Sequence, residues 1–265
     1  MQRFGYYDPT SVQKTLGIAA DKPEAKYLAG GQSLLAAMKL RLAAPSDLID
    51  LSRIPDLRGI KADAGALTIG AMTRHAEVAS SPDVMAKIPA LAALAATIGD
   101  RQVRNMGTLG GSIANDDPAS DYPAAVLGLG ATVVTAKRKI PADDFFKGLY
   151  ETALEPGELI VSVSFPIPKK AAYMKFKNAA SRFAIVGVFV AQTASGVRVA
   201  VTGAGSRGVF RVKAMEDALA KNWSPDAVKS IAVPAKDLNS DLHASAEYRA
   251  HLVTVMAARA VAAAA

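Results

Sequence analysis

The sequence predicts an α+β fold in three consecutive blocks. Three observations carry this. A strand–glycine turn–helix–strand pattern fills residues 1–51. Strands and short helices mix through residues 52–168. In residues 169–265 three strand patterns come first and three helical patterns follow, which predicts a three-stranded antiparallel sheet with a three-helix group. A chain of 265 residues, 51% of them hydrophobic, has room for such units and their cores. Aromatics make up only 6%, so the cores must be built from small aliphatic groups in close contact. The chain shows no internal repeat and no low-complexity linker.

Each element has a local reason. Ser11 to Leu16 reads as a short helix, and Lys26 to Ala29 as a strand running into Gly30-Gly31. Leu34 to Leu42 is rich in helix formers, and Pro45 bars its continuation. Asp47 to Leu51 is a mostly apolar, buried strand. The turn Asp63-Ala64-Gly65 precedes the strand Ala66 to Ala71, after which Thr73 is positioned to cap a helix. Ser81-Pro82 supplies a cap and an N1 proline for another. Pro89 to Ile98 is an apolar helix closed by Gly99. The polar, glycine-rich stretch Asp100 to Asp121 reads as a long functional loop. Ala131 to Thr135 and Leu159 to Phe165 are strands. In the last block Tyr173 to Lys177, Phe183 to Gln192 and Val197 to Thr202 are strands; Arg211 to Lys221, Pro225 to Ile231 and Ala244 to Ala264 are helical.

Two glycine-rich segments stand out. Ala29-Gly30-Gly31-Gln32-Ser33-Leu34 joins a strand to a helix. Paired glycines let a ligand approach the backbone, and the free N–H groups of a helix start favour an anion. Ser33 adds a hydroxyl. Several charge-assisted hydrogen bonds of about 1.5–3 kcal/mol each hold a diphosphate without an arginine. A Gly-Gly turn with no ligand is equally common, and the segment is neither G-x-G-x-x-G nor G-x-x-x-x-G-K-[ST]. The second segment, Gly107-Thr108-Leu109-Gly110-Gly111-Ser112-Ile113-Ala114-Asn115, runs on to Asp121. A carboxylate repels phosphate, so Asp121 suits the hydroxyls of a ribityl or ribose group. The plain alternative is a system of Asx turns. Two such segments together predict a long ligand with phosphates in its middle.

Composition excludes several chemistries. With no cysteine there is no disulfide, thiolate nucleophile, zinc ribbon or Cys-ligated iron–sulfur cluster on this chain. Three histidines leave little for a Ser-His-Asp hydrolase or a His-rich metal site. Residues 1–8 lack the apolar run of a secretory signal, and no uncharged apolar run is long enough to span a membrane. The expectation is a cytoplasmic protein. The net charge of +7 is dispersed. Its densest runs, Lys137-Arg138-Lys139 and Lys169-Lys170, have no interleaved aromatics, which argues against nucleic acid.

The sequence resembles a known family. Ala29-Gly30-Gly31-Gln32-Ser33-Leu34-Leu35 with Met38-Lys39-Leu40-Arg41, then Thr108-Leu109-Gly110-Gly111-Ser112-Ile113-Ala114-Asn115, then Glu155-Pro156-Gly157-Glu158-Leu159-Ile160 and Lys175-Phe176-Lys177, resemble the FAD-binding medium subunit of the molybdenum hydroxylases, of the aerobic carbon monoxide dehydrogenase and xanthine dehydrogenase type. The resemblance covers nearly the whole chain. It implies a two-part vanillyl-alcohol-oxidase-type FAD-binding region, divided as 1–51 and 52–168, closed over by a C-terminal domain at 169–265. It further implies that Leu28, Ala29, Gly30, Gly31, Gln32, Ser33 and Leu34 contact the pyrophosphate. Gly107, Thr108, Gly110, Gly111 and Ser112 lie along the flavin and its phosphates, with Ile98 and Gly99 at its border. Asp121 bonds its hydroxyl-rich part, Ile160 packs near the ring system, and Lys177 places a positive charge near the isoalloxazine, which favours an anionic reduced flavin. Gln32 replaces a common histidine and can still donate; Ser112 replaces a common asparagine and is shorter.

The same resemblance implies an oxidoreductase in which a large subunit carries molybdopterin and a small subunit carries two [2Fe–2S] clusters, assembled as a dimer of heterotrimers. FAD, held non-covalently, passes electrons to an external acceptor, which the sequence leaves open between quinone, oxygen and NAD. The substrate is not encoded in this chain, and no residue stands out as a general acid or base. Two rivals are a free-standing FAD oxidoreductase of the same fold and a basic binding module without a flavin. Among lesser features, His75 is expected partly exposed, His243 and His251 in a surface or packing role, Trp223 as an anchor of the helical group, and Lys137 to Lys139 as a solvated hairpin tip.

Overall fold

A computed structural model describes residues 1–63 and 65–264. Ala64 of the expected turn and Ala265 of the expected C-terminal block lie outside the described residues. The first block is a three-stranded parallel sheet. Strand β1 (Gly5–Tyr7) is followed by α1 (Val12–Asp21), β2 (Lys26–Leu28), α2 (Leu34–Lys39) and β3 (Asp47–Asp50). The strand order is β1-β3-β2, with Tyr7 and Tyr27 both beside Ile49. Ser11 caps α1, accepting from the Lys14 N–H at 3.3 Å. α1 runs five residues past Leu16. α2 stops at Lys39 because Leu40 and then Arg41 leave the helix, Arg41 with φ of 60°. β1 was not expected; at three residues it is too short to show an alternation.

The second block surrounds a five-stranded antiparallel sheet of order β4-β5-β10-β6-β7. In chain order it holds β4 (Ile60–Ala62), β5 (Ala66–Gly70), α3 (His75–Ser80), α4 (Pro82–Lys87), α5 (Pro89–Ala96), α6 (Arg101–Met106), α7 (Leu109–Asn115), α8 (Tyr122–Leu129), β6 (Thr132–Thr135) and β7 (Lys139–Pro141). Then come α9 (Ala142–Phe145), the small hairpin β8 (Phe146–Gly148) and β9 (Glu151–Thr152), and β10 (Ile160–Pro166). Ser81 caps α4 as the sequence predicts. Thr73 does not cap α3: its hydroxyl donates to the Gly59 carbonyl at 3.2 Å, and the Arg74 N–H instead bonds Glu77.

The stretch Asp100 to Asp121 is not a long loop. Asp100 accepts from the Val103 N–H at 2.8 Å and starts α6; Thr108 accepts from the Gly111 N–H at 3.2 Å and starts α7. Asp and Thr therefore act as caps of two short helices, although together they resemble turn composition. Helix α8 was also unanticipated. It is buried along its whole length and carries no polar face to give it a period.

The third block is the sheet β11 (Lys170–Lys177), β12 (Ala184–Thr193), β13 (Gly196–Thr202) and β14 (Phe210–Arg211), followed by α10 (Lys213–Lys221), α11 (Asp226–Lys229) and α12 (Ala246–Ala263). The two-residue β14 extends the expected three strands. Both faces of this sheet are covered. Val186, Val188 and Val190 pack with Met215, Leu219 and Met256 beneath the helices. Phe189, Ala191 and Ala200 join the core of the middle block against α8. Alternation along β12 thus locks the two regions together.

Candidate functional site

The parallel sheet aims its strand ends at one edge, where α/β sheets bind ligands. β2 delivers Leu28, Ala29 and Gly30 there, and α2 leads away from Leu34. Among the described residues, no hydrogen bond uses the N–H groups of Gly30, Gly31, Gln32, Ser33 or Leu34. Gln32 and Ser33 are exposed. Five successive backbone donors, running from half-buried Gly30 and buried Gly31 to exposed Gln32 and Ser33, have no partner among the described residues, a pattern that suits an anion.

The second glycine segment lies directly against the first. A Cβ on Gly30 would overlap the Met106 carbonyl oxygen and sit 2.8 Å from its carbon and 3.1 Å from Gly107 Cα. A Cβ on Gly111 would reach the Ala29 methyl at 3.4 Å. The close approach of Gly30 to the Met106 carbonyl and Gly107 is possible because neither of these two glycines carries a side chain. The second segment differs from the first in one respect, however. Its donors are largely used within the chain: Leu109 N–H bonds Thr73 O at 3.0 Å, Gly110 N–H bonds Ala71 O at 2.8 Å, and Gly111 and Ser112 bond back to Thr108. It is a rigid wall rather than a second set of phosphate donors. Gly110 is obligatory in that wall, since a Cβ there would lie 2.6 Å from the Ala71 methyl.

The wall is backed by His75, whose N–H bonds Gly107 O at 3.0 Å. His75 is buried, 5% exposed, against the Tyr122 ring; the expected partial exposure is incorrect. Burial, aided by Arg104, pushes its imidazole down to about 4, so it is neutral.

The turn Thr97–Gly99 ends α5, and its carbonyls meet cations. Lys175 Nζ lies 3.3 Å from Thr97 O, and Arg104 donates to Ile98 O at 2.9 Å and Gly99 O at 3.1 Å. That is the favourable charge at a helix C-terminus. Gly99 has φ of 49°, two residues after Thr97 rather than at once.

Three expected positions differ in detail. Asp121 does not face solvent: it is 4% exposed and accepts from Tyr173 OH at 2.5 Å and Lys175 Nζ at 2.9 Å. Ile160 turns into the main core at 5% exposure, while Val161 packs on the cluster that contains Tyr27 and Ala29. Lys177 is exposed at the end of β11, after a register shift between Phe176 and Lys177. The sequence reading missed Tyr173 and Lys175. The signal was present, because the alternation of β11 puts both on one face. The Glu155–Ile160 motif is structural. Glu158 accepts from Arg138 at 3.0 and 2.9 Å, from the Glu155 N–H and from Thr135, and these bonds, Arg138's above all, hold its carboxyl down at about 2. Tyr27 donates to Gly157 O at 2.8 Å and ties β2 to that turn. Lys137 to Lys139 do turn at the β6–β7 hairpin, His243 and His251 are exposed, and Trp223 packs against the C-terminal core.

Comparison with known proteins decides the family. Residues 2–168 match the family described as the FAD binding domain in molybdopterin dehydrogenase, and residues 171–264 match the CO dehydrogenase flavoprotein C-terminal domain. The chain is an FAD-binding medium subunit of the molybdopterin dehydrogenase family. It is 38% identical to the carbon monoxide dehydrogenase medium chain of Hydrogenophaga pseudoflava, over 98% of this chain and 96% of that one. It is 36% identical to the nicotine 6-hydroxylase medium subunit of Paenarthrobacter nicotinovorans, over 97% and 95%. A solved quinoline 2-oxidoreductase from Pseudomonas putida 86 superposes with a TM-score of 0.89 at 30% identity, covering 99% of this chain and 96% of that one. The α+β fold and the FAD-binding, oxidoreductase character of the subunit stand on these matches. The residues fit the cofactor: a cradle that a Cβ would fill, five donors without partners in the chain, and a neutral, rigid wall beside them. No helix among the described residues is long and apolar enough to cross a membrane.

Proposed function

We propose that this chain is the electron-delivering flavin subunit of a molybdenum hydroxylase complex. It receives electrons from [2Fe–2S] clusters on a small subunit and passes them to an external acceptor, while a large subunit carries molybdopterin and the substrate. The observation that carries the reading is the contact between Gly30 and the Met106–Gly107 backbone, which unites the two glycine segments into one seat. The absence of cysteine supports clusters on another chain. Relatives named for carbon monoxide and nicotine match nearly the whole of this chain, which supports substrate choice on a different subunit.

In this reading Leu28 to Leu34 bind the pyrophosphate through the donors of Gly30 to Leu34. Gly107, Thr108, Gly110, Gly111 and Ser112 wall the cofactor, and Ile98 and Gly99 border it. Asp121 serves the hydroxyl-rich portion from behind, and Lys177 supplies positive charge. Ile160, in the core at the start of β10, backs the ring system. When bound, FAD supplies a store for two electrons that accepts and releases them singly or as a pair. The chain's own groups orient it and limit water access; no side chain here is assigned proton transfer. The division 1–51, 52–168 and 169–265, a cytoplasmic setting and a dimer of heterotrimers belong to the same proposal.

Purification tests it. A tagged chain expressed with its neighbouring genes should bring two further chains, one with iron and one with molybdenum, and a yellow complex whose flavin is released by acid. A chain that purifies alone and oxidises a small alcohol would refute the subunit reading in favour of a free-standing oxidoreductase.

A further inference from the structure

Lys175, on β11 of the C-terminal sheet, bridges the start of α8 and the end of α5. Its ammonium is 2.9 Å from Asp121 Oδ2 at the start of α8 and 3.3 Å from the Thr97 carbonyl at the end of α5. Both side chains of the Lys175–Asp121 pair are 4% exposed. Tyr173, two residues earlier on the same strand, donates to the other Asp121 oxygen. The C-terminal sheet also grips the segment before Asp121: Gly203 N–H bonds Pro118 O at 2.8 Å, and Thr202 OH bonds Ser120 O at 2.6 Å.

A buried ion pair is a weak stability device, because desolvation of both charges offsets their attraction. What it supplies is direction. An ammonium has three donors and no acceptor, so Lys175 can hold a carboxylate and a carbonyl at a fixed separation. The carbonyl lies next to Ile98 and Gly99, and the carboxylate belongs to Asp121. We infer that Lys175 is a positioning residue of the flavin seat, setting Asp121 and the Thr97–Gly99 turn against each other from the C-terminal sheet. This rests on the proposed reading of Asp121 and that turn as parts of the seat. Lys175 acts through Asp121, and Tyr173 assists it on the same carboxylate.

The test titrates FAD into the full chain, following flavin fluorescence and the visible circular dichroism of the bound flavin. The variants are Lys175→Met, Asp121→Asn, the double variant, Tyr173→Phe and Leu219→Ala. Leu219 is 2% exposed in the core beneath the C-terminal helices, so its truncation lowers stability without touching Asp121. Lys175→Met should weaken FAD binding tenfold or more and change the dichroism. Tyr173→Phe should shift both in the same direction by a few fold, which keeps the inference testable if Lys175→Met does not fold. The double variant should bind no more than twofold worse than the weaker single variant, because the two residues act as one unit. Leu219→Ala should melt earlier yet bind FAD within twofold of the parent chain. The inference is overturned if Lys175→Met or Tyr173→Phe binds as the parent does. It is also overturned if the two single effects multiply in the double variant, or if Leu219→Ala weakens FAD as much as Lys175→Met. A parent chain that binds no FAD would remove the seat itself, and the inference with it.

Discussion

Replacing Gly30 with alanine should separate cofactor binding from folding. The added methyl would overlap the Met106 carbonyl oxygen and stand 2.8 Å from its carbon, where ordinary contact begins at 3.4 Å. Both neighbours are backbone, so no side chain can swing aside, and the segments must part by about 1.5 Å to clear the Met106 oxygen, an overpacking cost of about 1–3 kcal/mol. The larger effect is on the donors. A charge-assisted hydrogen bond is worth about 1.5–3 kcal/mol. Misaligning two of the five N–H groups at residues 30–34 therefore removes about 3–6 kcal/mol, roughly a 10²- to 10⁴-fold rise in the FAD dissociation constant. The assay is a fluorescence titration of FAD beside a thermal melt without it. Gly17→Ala is the control, because a Cβ at Gly17 meets nothing within 4 Å; in mid-helix it should add about 0.5–1 kcal/mol of stability and leave FAD binding unchanged. A Gly30→Ala chain that folds and binds FAD as tightly as the parent would refute the shared seat.

Three further outcomes are expected. Gly110→Ala should lower the melting temperature and FAD affinity together, because its Cβ would press on the Ala71 methyl at 2.6 Å and displace the wall; unchanged melting would contradict the close approach. Glu158→Gln should cost about 2 kcal/mol, since an amide NH₂ cannot accept from Arg138 or the Glu155 N–H. The Glu158 contribution is fully present above its unfolded value of about 4.5 and is lost as pH falls through about 2, so the variant's urea midpoint should lose its pH dependence from this group across that window. His75 has the same sign over a different range. Its folded value of about 4 is below the ordinary 6.5, so the unfolded chain binds the extra proton between these values. Stability should be full above pH 6.5 and fall by about 3 kcal/mol toward pH 4. Urea midpoints of a His75→Gln chain should show that slope flattened; an identical slope would assign the acid sensitivity elsewhere.

Much of the architecture was legible from local pattern. Ser11 and the Ser81-Pro82 pair mark helix starts, and alternation marks the C-terminal strands. Caps and periodicity act over a few residues, so one sequence displays them. The same locality misled at Asp100 to Asp121. Asp100 and Thr108 have the composition of turns, and only their bonds to Val103 and Gly111 N–H make them caps. The whole-buried α8 has no polar face, so it left no period to read.

The sequence by itself determined that this chain carries FAD-binding motifs and has no cysteine to offer as a ligand to an iron–sulfur cluster. The tertiary structure alone decided which of the two glycine segments keeps its donors free. It also decided that Asp121 is held by Tyr173 and Lys175, that His75 is buried and neutral, and that Ile160 joins the main core while Val161 packs on the cluster of Leu51, Ile54 and Leu57. The physical reason is that a residue type states which hydrogen bonds and contacts a group can make. Which of them it does make depends on partners that lie more than fifty residues away in the chain, as Tyr173 and Lys175 do from Asp121, and those are brought together only by packing.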